Sequence, residues 1–291
     1  MKVLFFGGTR FFGVHAVNYL LAAGHDVTIA TRGLTADSFG TAVNRLVIDR
    51  NNRQQLAQVL GEKYFDVIVD NLAYSSNDVR NLLDAIQPAR YVITSTMSVY
   101  RDLHLETTEA DYDPLSHDLI WCERDTFTYD EVKRQAEAAL FQKYAATRSV
   151  AVRYPYVIGN DDYTKRLYFY VEHVIKQQAM FVDSLDVQFA FVSADEAGQF
   201  LSFLATADFV GPINGASFGT ITLGEIISYV EQKCGKAVVL DEAGDGAPYN
   251  GTPSYSLPAN LAKEIGFAFS EVGDWIYGLL DELIEQVQKD L

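Results

Sequence analysis

The chain has 291 residues, of which 48% are hydrophobic and 21% are charged, a composition that excludes wholesale disorder and fits one large or two closely associated domains. Its 39 acidic and 23 basic residues give a formal net charge of -16, and the absence of a basic run argues against nucleic acid as a partner. We expect no membrane partner and a cytoplasmic location, because apolar runs are short and the first strand leaves no room for a signal peptide. Cys122 and Cys234 form no metal-ligand pattern with the five histidines, so no metal is expected.

The first half of the chain alternates short apolar runs with helical patterns. Strands are predicted at Lys2–Phe6, Asp26–Thr31, Arg45–Ile48, Phe65–Asp70, Arg90–Ser95 and Val150–Tyr154. Helices are predicted at Phe11–Ala23, Asn52–Leu60, Asn77–Ile86 and Phe127–Ala146. Strands rich in Val and Ile that alternate with helices indicate parallel strands joined by right-handed crossovers. The sequence therefore predicts an α/β fold with a doubly wound, Rossmann-type parallel sheet.

After Pro155 the alternation becomes less regular, and aromatic residues and longer insertions become more frequent. Helices are predicted near Leu167–Gln178, Ala194–Ala205, Leu223–Cys234 and Val272–Asp290, with strands near Ala190–Val192 and Ala237–Leu240. No linker separates the two halves. We therefore expect a doubly wound domain over 1–155 and a smaller lobe over 156–291, some segments of which return to the sheet.

A glycine-rich turn, Gly7 to Gly13, follows the first strand and opens the first helix. Gly7 allows a tight turn, and Gly13 allows the helix to pack closely on the sheet. The amino end of such a helix offers free N–H groups to a pyrophosphate. The turn therefore predicts a dinucleotide site to which Thr9, Arg10, Phe11 and Phe12 contribute.

The end of the second strand bears on which dinucleotide is bound. An NAD site usually has an acidic residue there to bind the ribose hydroxyls. This chain has Arg32 instead, and Asp26 lies too far back in the strand to reach the ribose. Arg32 and Arg10 can form a cationic pocket for a 2′-phosphate. The pattern favours NADP(H) over NAD(H), and the alternative is that the two arginines are solvated surface residues.

A tyrosine and a lysine four residues apart, Tyr129 and Lys133, lie on one face of the helix after the fifth strand. A lysine ammonium favours the phenolate and would lower the tyrosine pKa, so that Tyr129 could exchange a proton with a substrate oxygen. The same spacing arises by chance, and Tyr229 with Lys233 forms a second pair. We favour Tyr129 because it lies at the carboxyl edge of the sheet, where open α/β sheets bind ligands.

Hydroxyl side chains end the fifth strand, where they emerge at the same edge of the sheet. The segment Ile93–Tyr100 carries Thr94, Ser95, Thr96 and Ser98. One of these hydroxyls could bind a substrate carbonyl or alcohol, and the alternative is that they cap the strand end.

Together these segments resemble the extended form of the short-chain dehydrogenase/reductase superfamily, which includes the nucleotide-sugar epimerases and dehydratases. The resemblance runs through segments that span most of the chain: Gly7–Gly13, Asp49-Arg50, Asp70–Tyr74, Ser95–Tyr100, Tyr129–Glu137, Arg153–Gly159, Phe191–Leu201 and Ile221–Val230. In the superfamily pattern the catalytic hydroxyl lies four positions before the tyrosine of a Val-Tyr pair. With Tyr100 as that tyrosine the resemblance points to Thr96, with Ser95 and Ser98 as alternatives.

The resemblance also implies further binding residues. Asp49, with Arg50, is similar to the acidic residue that contacts the adenine, and Leu72-Ala73 is similar to the segment under the cofactor. Tyr154-Pro155 matches a segment near the nicotinamide. The second lobe would form the substrate site, for which Tyr156 and Arg166 are candidates.

Two departures indicate an atypical subgroup. Arg10 stands where the extended pattern has its middle glycine, and Arg101 follows the Val-Tyr pair where epimerases commonly have glycine. With Thr-Arg-Gly after the second strand, the chain looks more like chloroplast stem-loop RNA-binding proteins and their bacterial relatives.

The leading hypothesis is an NADP(H)- or NAD(H)-dependent epimerase, dehydratase or reductase that acts on a hydroxyl or carbonyl group of a small molecule, with a nucleotide sugar as the expectation from the superfamily. Tyr129 would be the acid/base, Lys133 would lower its pKa and Thr96 would position the reacting oxygen. The alternative is a non-catalytic protein that binds RNA or uses the nucleotide as a regulatory ligand. By analogy, superfamily members often form a homodimer through helices that include the one carrying the tyrosine.

Overall fold

A computed structural model describes residues 1–291. Its strands are β1 Lys2–Phe6, β2 Asp26–Thr31, β3 Asn44–Val47, β4 Val67–Asp70, β5 Arg90–Thr96, β6 Arg148–Tyr154, β7 Tyr156–Ile158, β8 Ala179–Phe181, β9 Gln188–Phe189, β10 Phe191–Ser193, β11 Gly211–Asn214, β12 Ile221–Thr222, β13 Val239–Leu240 and β14 Asp245–Gly246. Its α-helices are α1 Phe12–Ala22, α2 Arg53–Leu60, α3 Ser76–Leu83, α4 Tyr129–Lys143, α5 Arg166–Lys176, α6 Ala194–Leu204, α7 Leu223–Cys234, α8 Asn260–Glu264 and α9 Val272–Lys289. No helix is both long and apolar enough to span a bilayer.

Seven parallel strands form the central sheet in the order β11-β6-β5-β4-β1-β2-β3. The inner strands are buried on both faces, because helices cover the sheet on each side. The strand order reverses between β1 and β4, which leaves a crevice at the carboxyl ends of these strands. The predicted doubly wound α/β fold is confirmed.

The second half of the chain contributes to both parts of the molecule. Its strand β11 pairs with β6 at the edge of the central sheet, and α6 packs against α1 so closely that a Cβ on Gly198 would lie 2.6 Å from the backbone nitrogen of Ala16. The other segments form a separate core, in which α5, α7 and α9 pack around the aromatic residues Tyr170, Phe189 and Tyr255.

The long predicted elements match the structure to within a few residues. Helix α1, for example, ends just before Gly24, which adopts a φ of +76° that favours glycine. The elements that the sequence did not predict are short: β7, β8, β9, β11, β12, β14 and α8, each of two to five residues. Such segments contain too few residues to show a hydrophobic period.

The segment between β5 and α4 covers the outer face of α4. Residues 132–140 of this helix are all buried. The Gln135 amide donates to the Asp118 carbonyl at 3.0 Å, and the Gln142 amide donates to the carbonyls of Pro114 and His117 at 2.8 and 2.7 Å. This segment therefore covers part of the surface of α4.

Candidate active site

One large cleft, of about 1620 Å³, lies at the carboxyl edge of the central sheet. Residues that follow β1, β2, β4 and β5 line one side, and the first turn of α4 adds Tyr129 and Lys133. The segment from Tyr154 to Arg166, which leads from the sheet into the second lobe, lines the other side. The topology therefore brings the nucleotide-binding turn and the Tyr-Lys helix to one place.

The glycine-rich turn at the start of the cleft requires its glycines. Gly7 and Gly8 have φ angles of +95° and +85°, and a Cβ on Gly8 would lie 2.9 Å from Val17 Cγ2. A Cβ on Gly13 would lie 3.1 Å from Gly8 Cα, so a side chain there would close the turn. Helix α1 begins at Phe12 with no side-chain cap and no acidic residue in its first turn. Its free N–H groups and positive dipole end suit a phosphate group.

Two arginines line the cleft beside this turn without an ion-pair partner. The Arg10 guanidinium donates to the Thr35 hydroxyl at 3.2 Å, and Arg32 follows the end of β2. Asp49 also lines the cleft, and its carboxylate accepts from the backbone N–H of Asn51 at 3.0 Å. The structure thus places an acidic residue and two free cations around the end of the cleft nearest β2 and β3.

The Arg50 side chain forms ion pairs with carboxylates of the protein. Its Nη1 lies 2.6 Å from an Asp70 carboxylate oxygen, and its Nε lies 3.3 Å from Asp78. Asp70 also accepts from the buried Tyr91 hydroxyl at 2.8 Å and from the backbone N–H of Leu72 at 2.9 Å. This network fixes the turn after β4, and with it Leu72, along the floor of the cleft.

Tyr129 is the first residue of α4 and is about half exposed in the cleft, at 50%. Desolvation by the cleft walls raises the pKa of its phenol to about 12. Hydrogen bonding with the Thr96 side chain and the positive charges of Arg124 and Arg166 act in the opposite direction. Thr96, Arg124 and Arg166 are therefore the groups that favour the phenolate of Tyr129.

Lys133 lies one turn below Tyr129 and is buried. Its Nζ donates to the carbonyls of Ala73 at 2.8 Å and Thr94 at 2.9 Å, and burial lowers its pKa to about 8. From the sequence, Lys133 was expected to lower the pKa of Tyr129. In the structure the pKa of Tyr129 is raised, because desolvation by the cleft walls outweighs the effect of Thr96, Arg124 and Arg166.

The hydroxyls at the end of β5 have separate partners. Thr96 Oγ1 accepts from the backbone N–H of Ser98 at 3.2 Å and faces the cleft. The Ser95 hydroxyl instead donates to the buried carboxylate of Glu137. Thr96 therefore lines the cleft together with Tyr129 and Ser98, to whose hydroxyl it is hydrogen-bonded at 3.3 Å, whereas the Ser95 hydroxyl is engaged by Glu137.

The end of β6 and the second lobe add aromatic and cationic groups. The Tyr154 hydroxyl is buried and donates to the Ala197 carbonyl at 2.7 Å, so its ring forms a fixed wall. The Tyr156 ring packs against Tyr249 with centroids 4.6 Å apart, and the Arg166 guanidinium lies 5.3 Å from the Tyr156 ring centroid. Pro155, between Tyr154 and Tyr156 in the chain, also lines the cleft.

Of the residues selected from the sequence, all but Gly13 and Ala73 line this cleft. Gly13 packs beneath the glycine turn, and Ala73 contributes its carbonyl to Lys133. The second pair, Tyr229 and Lys233, lies elsewhere, and both side chains bind Asp281 of α9.

Arg124 and Tyr74, which were not among the site residues predicted from the sequence, also line the cleft. The Arg124 guanidinium carbon lies 3.4 Å from the Tyr74 ring centroid, and the Tyr74 ring meets the Tyr129 ring edge-on at 6.2 Å. Arg124 lies in an irregular segment without periodicity or motif, so only its position five residues before Tyr129 could have indicated it.

Comparison with known proteins places these observations in a family. The sequence profile of the NAD dependent epimerase/dehydratase family matches residues 3–215. The chloroplast stem-loop binding protein of 41 kDa b from Arabidopsis thaliana is 30% identical over 113 residues. That match covers 34% of this chain and about 30% of the length of the chloroplast protein.

Solved structures share the fold over the full chain. The UDP-glucose 4-epimerase of Thermotoga maritima, solved with UDP-glucose, superimposes with a TM-score of 0.77 at 14% identity, covering 100% of this chain and 99% of the other. The UDP-glucuronic acid 4-epimerase of Bacillus cereus, in complex with UDP-glucuronic acid and NAD, gives a TM-score of 0.74 at 16% identity and covers 100% of both chains.

Proposed function

This chain belongs to the NAD dependent epimerase/dehydratase family. From that premise we propose that it is an enzyme that binds a nicotinamide dinucleotide and uses it to transform a hydroxyl-bearing carbon of a nucleotide sugar. The observation that carries the proposal is the convergence of the uncapped glycine turn with Tyr129 and Thr96 in one cleft. The solved relatives that bind UDP-sugars support the substrate class.

The cleft fits a dinucleotide. The turn that begins at Gly7 lines the cleft, and α1 begins there with no side-chain cap on its first turn. We assign the pyrophosphate to this turn, the adenosine end to Arg32 and Asp49, and the nicotinamide end to Tyr154 and Pro155. When bound, the dinucleotide would accept a hydride from the substrate carbon and, in an epimerase or dehydratase, return it.

In this proposal the side chains of the protein handle the proton. Tyr129 Oη exchanges a proton with the substrate hydroxyl, and Thr96 Oγ1 holds that oxygen in place. A phenol with a pKa of about 12 is protonated at neutral pH, so Tyr129 serves readily as an acid. Its use as a base requires additional positive charge in the cleft. Lys133, tied to the ends of β4 and β5, keeps α4 in register with Thr96.

The test of the catalytic assignment is Tyr129→Phe, with Tyr229→Phe, which removes a half-buried phenol of the second lobe far from the cleft, as the matched control. Turnover of UDP-glucose or UDP-glucuronic acid should fall at least about 100-fold in Tyr129→Phe, the usual contribution of a general acid or base. NADH affinity, followed by nicotinamide fluorescence, should be unchanged in both variants. Full turnover in Tyr129→Phe would exclude this role.

The cofactor preference is a separate part of the proposal. Arg10 and Arg32 lack carboxylate partners and favour the 2′-phosphate of NADP(H), whereas the Bacillus cereus relative was solved with NAD. Titration with NADPH and NADH decides between them. If NADPH binds more tightly and Arg32→Gln removes the difference, the phosphate pocket is supported, whereas equal binding of both would remove that argument.

A second candidate, a nucleic-acid-binding protein without chemistry, comes from the match to the chloroplast stem-loop binding protein. The net charge of -16 opposes it. Retention of a stem-loop RNA that weakens steeply with salt would support this candidate, together with unchanged behaviour of Tyr129→Phe.

A further inference from the structure

Four arginines of this acidic chain line the catalytic cleft without any carboxylate partner: Arg10, Arg32, Arg124 and Arg166. Most other arginines form ion pairs, including Arg45, Arg50, Arg53, Arg134, Arg148 and Arg153. Six of the thirteen arginines form ion pairs with carboxylates, and four of the seven that do not line this one cleft. Unpaired cations concentrated in one cleft indicate anionic ligands.

The four cations form two groups at different positions. Arg10 and Arg32 lie beside the glycine turn and the end of β2, where they serve the dinucleotide. Arg124 and Arg166 instead line the part of the cleft that holds Tyr129. The Arg124 guanidinium stacks on Tyr74, whose ring meets the Tyr129 ring at 6.2 Å, and the Arg166 guanidinium lies 5.3 Å from the Tyr156 ring centroid. The charges of both lower the pKa of the Tyr129 phenol. The second group therefore surrounds the position of the reacting substrate, and the cofactor assignment does not account for it.

Arg124 reaches this position from the segment before α4. Its guanidinium stacks on one face of the Tyr74 ring, and Lys133 Nζ lies 4.5 Å from the same ring centroid. Of its acidic neighbours, Glu123 binds the Asn77 amide and Asp125 forms no ion pair with it. Stacking holds the plane of the guanidinium while its N–H groups remain free to bind a ligand.

Arg166 reaches the same position from the second lobe. It is the first residue of α5, a helix with no side-chain cap and no acidic residue in its first turn, so the helix dipole adds to its charge. Its only hydrogen bond is to the Thr164 hydroxyl at 3.1 Å. Nearby, the Tyr249 hydroxyl is buried without a partner, and Tyr249 holds a φ of +75°. Tyr249 packs behind Tyr156, which lines the cleft, so this unpartnered hydroxyl lies directly beneath the cleft wall.

We infer that Arg124 and Arg166 form a two-sided anion clamp around Tyr129, which selects substrates that carry a carboxylate or phosphate group close to the reacting carbon. The inference rests on the proposed function and narrows its substrate class. A guanidinium on each side of one anionic group gives charge-assisted hydrogen bonds and fixes its orientation. The clamp joins the two lobes, because Arg124 comes from the sheet domain and Arg166 from the second lobe.

The test is calorimetric binding to the full chain saturated with the preferred dinucleotide. The probes are UDP-glucuronic acid, UDP-glucose and inorganic pyrophosphate, and the variants are Arg124→Gln and Arg166→Gln. Arg101→Gln is the matched control, because Arg101 is exposed, unpaired and outside the cleft. Each clamp variant should weaken UDP-glucuronic acid binding about tenfold or more, as expected for a charge-assisted contact. Dinucleotide affinity should stay within twofold, as should all affinities of Arg101→Gln.

The arms of the experiment separate the two sources of negative charge. A loss confined to UDP-glucuronic acid assigns the clamp to a sugar carboxylate, and an equal loss for UDP-glucose and pyrophosphate assigns it to the diphosphate. The inference is overturned if neither variant changes any of these affinities more than twofold, or if the dinucleotide-loaded protein binds none of the three probes. Failure of the wild-type chain to bind either dinucleotide would instead contradict the proposed function.

Discussion

The fully buried ion pair between Arg153 and Glu137 supports the end of β5, and its charge balance can be tested directly. Arg153 Nη2 lies 2.7 Å from a Glu137 carboxylate oxygen, and neither side chain is exposed. Glu137 also accepts from the Ser95 hydroxyl, one residue before Thr96. Glu137→Gln keeps the volume and removes the negative charge, which leaves the guanidinium uncompensated in the core.

The magnitude follows from what remains around Arg153. Loss of one member of a buried pair costs about 3–5 kcal/mol. Arg153 keeps three neutral acceptors, the carbonyls of Glu109 and Tyr112 at 3.0 Å each and the Tyr100 hydroxyl at 3.3 Å. We therefore expect a loss near the lower limit, about 3 kcal/mol of the free energy of unfolding.

Urea denaturation at neutral pH measures this loss. The control is Glu285→Gln, which removes an exposed partner of Lys289 on α9 and should cost less than about 0.5 kcal/mol. A loss below about 1 kcal/mol for Glu137→Gln would refute the reasoning. It would mean that the Arg153 guanidinium does not stay buried without a counter-charge once Glu137 is neutral.

Three other predictions follow from the site. Burial lowers the pKa of Lys133 to about 8, below its unfolded value of 10.5. Between these two pH values the unfolded chain binds more protons than the folded chain, so the contribution of Lys133 makes the free energy of unfolding rise with pH. Comparing urea curves at pH 8 and 10 should show a smaller rise in Lys133→Met than in the wild type, and an equal rise would contradict the lowered pKa. Gly13→Ala should weaken dinucleotide binding about tenfold or more, because its Cβ would press against Gly8 in the turn. The control is Gly278→Ala, at an exposed helical position with open space, which should leave binding unchanged and stabilise the chain by up to about 1 kcal/mol. Gly198→Ala should lower the midpoint of thermal unfolding clearly, because its Cβ would lie 2.6 Å from the Ala16 nitrogen in the α1–α6 packing, and an unchanged midpoint would show that the two helices separate easily.

Elements with local signals could be predicted from the sequence. Apolar runs such as Lys2–Phe6 and helical periods such as that of α7 report burial along one stretch of backbone, and they appear at their predicted places. The glycine turn was also readable, because the backbone conformations of Gly7 and Gly8 exclude most other residues. These local signals led to the family and to the doubly wound sheet, and both were confirmed.

Which residues come into contact depends on the tertiary packing. Two Tyr-Lys pairs have the same spacing, yet one lies in the cleft and the other on Asp281, because the strand order carries only α4 to the carboxyl edge of the sheet. The raised pKa of Tyr129 likewise depends on walls contributed by distant segments. Arg124 and Arg166 are 42 positions apart and belong to different lobes, so no local pattern relates them. Spacing along the chain reports which side chains share a face, whereas proximity and desolvation arise from long-range packing.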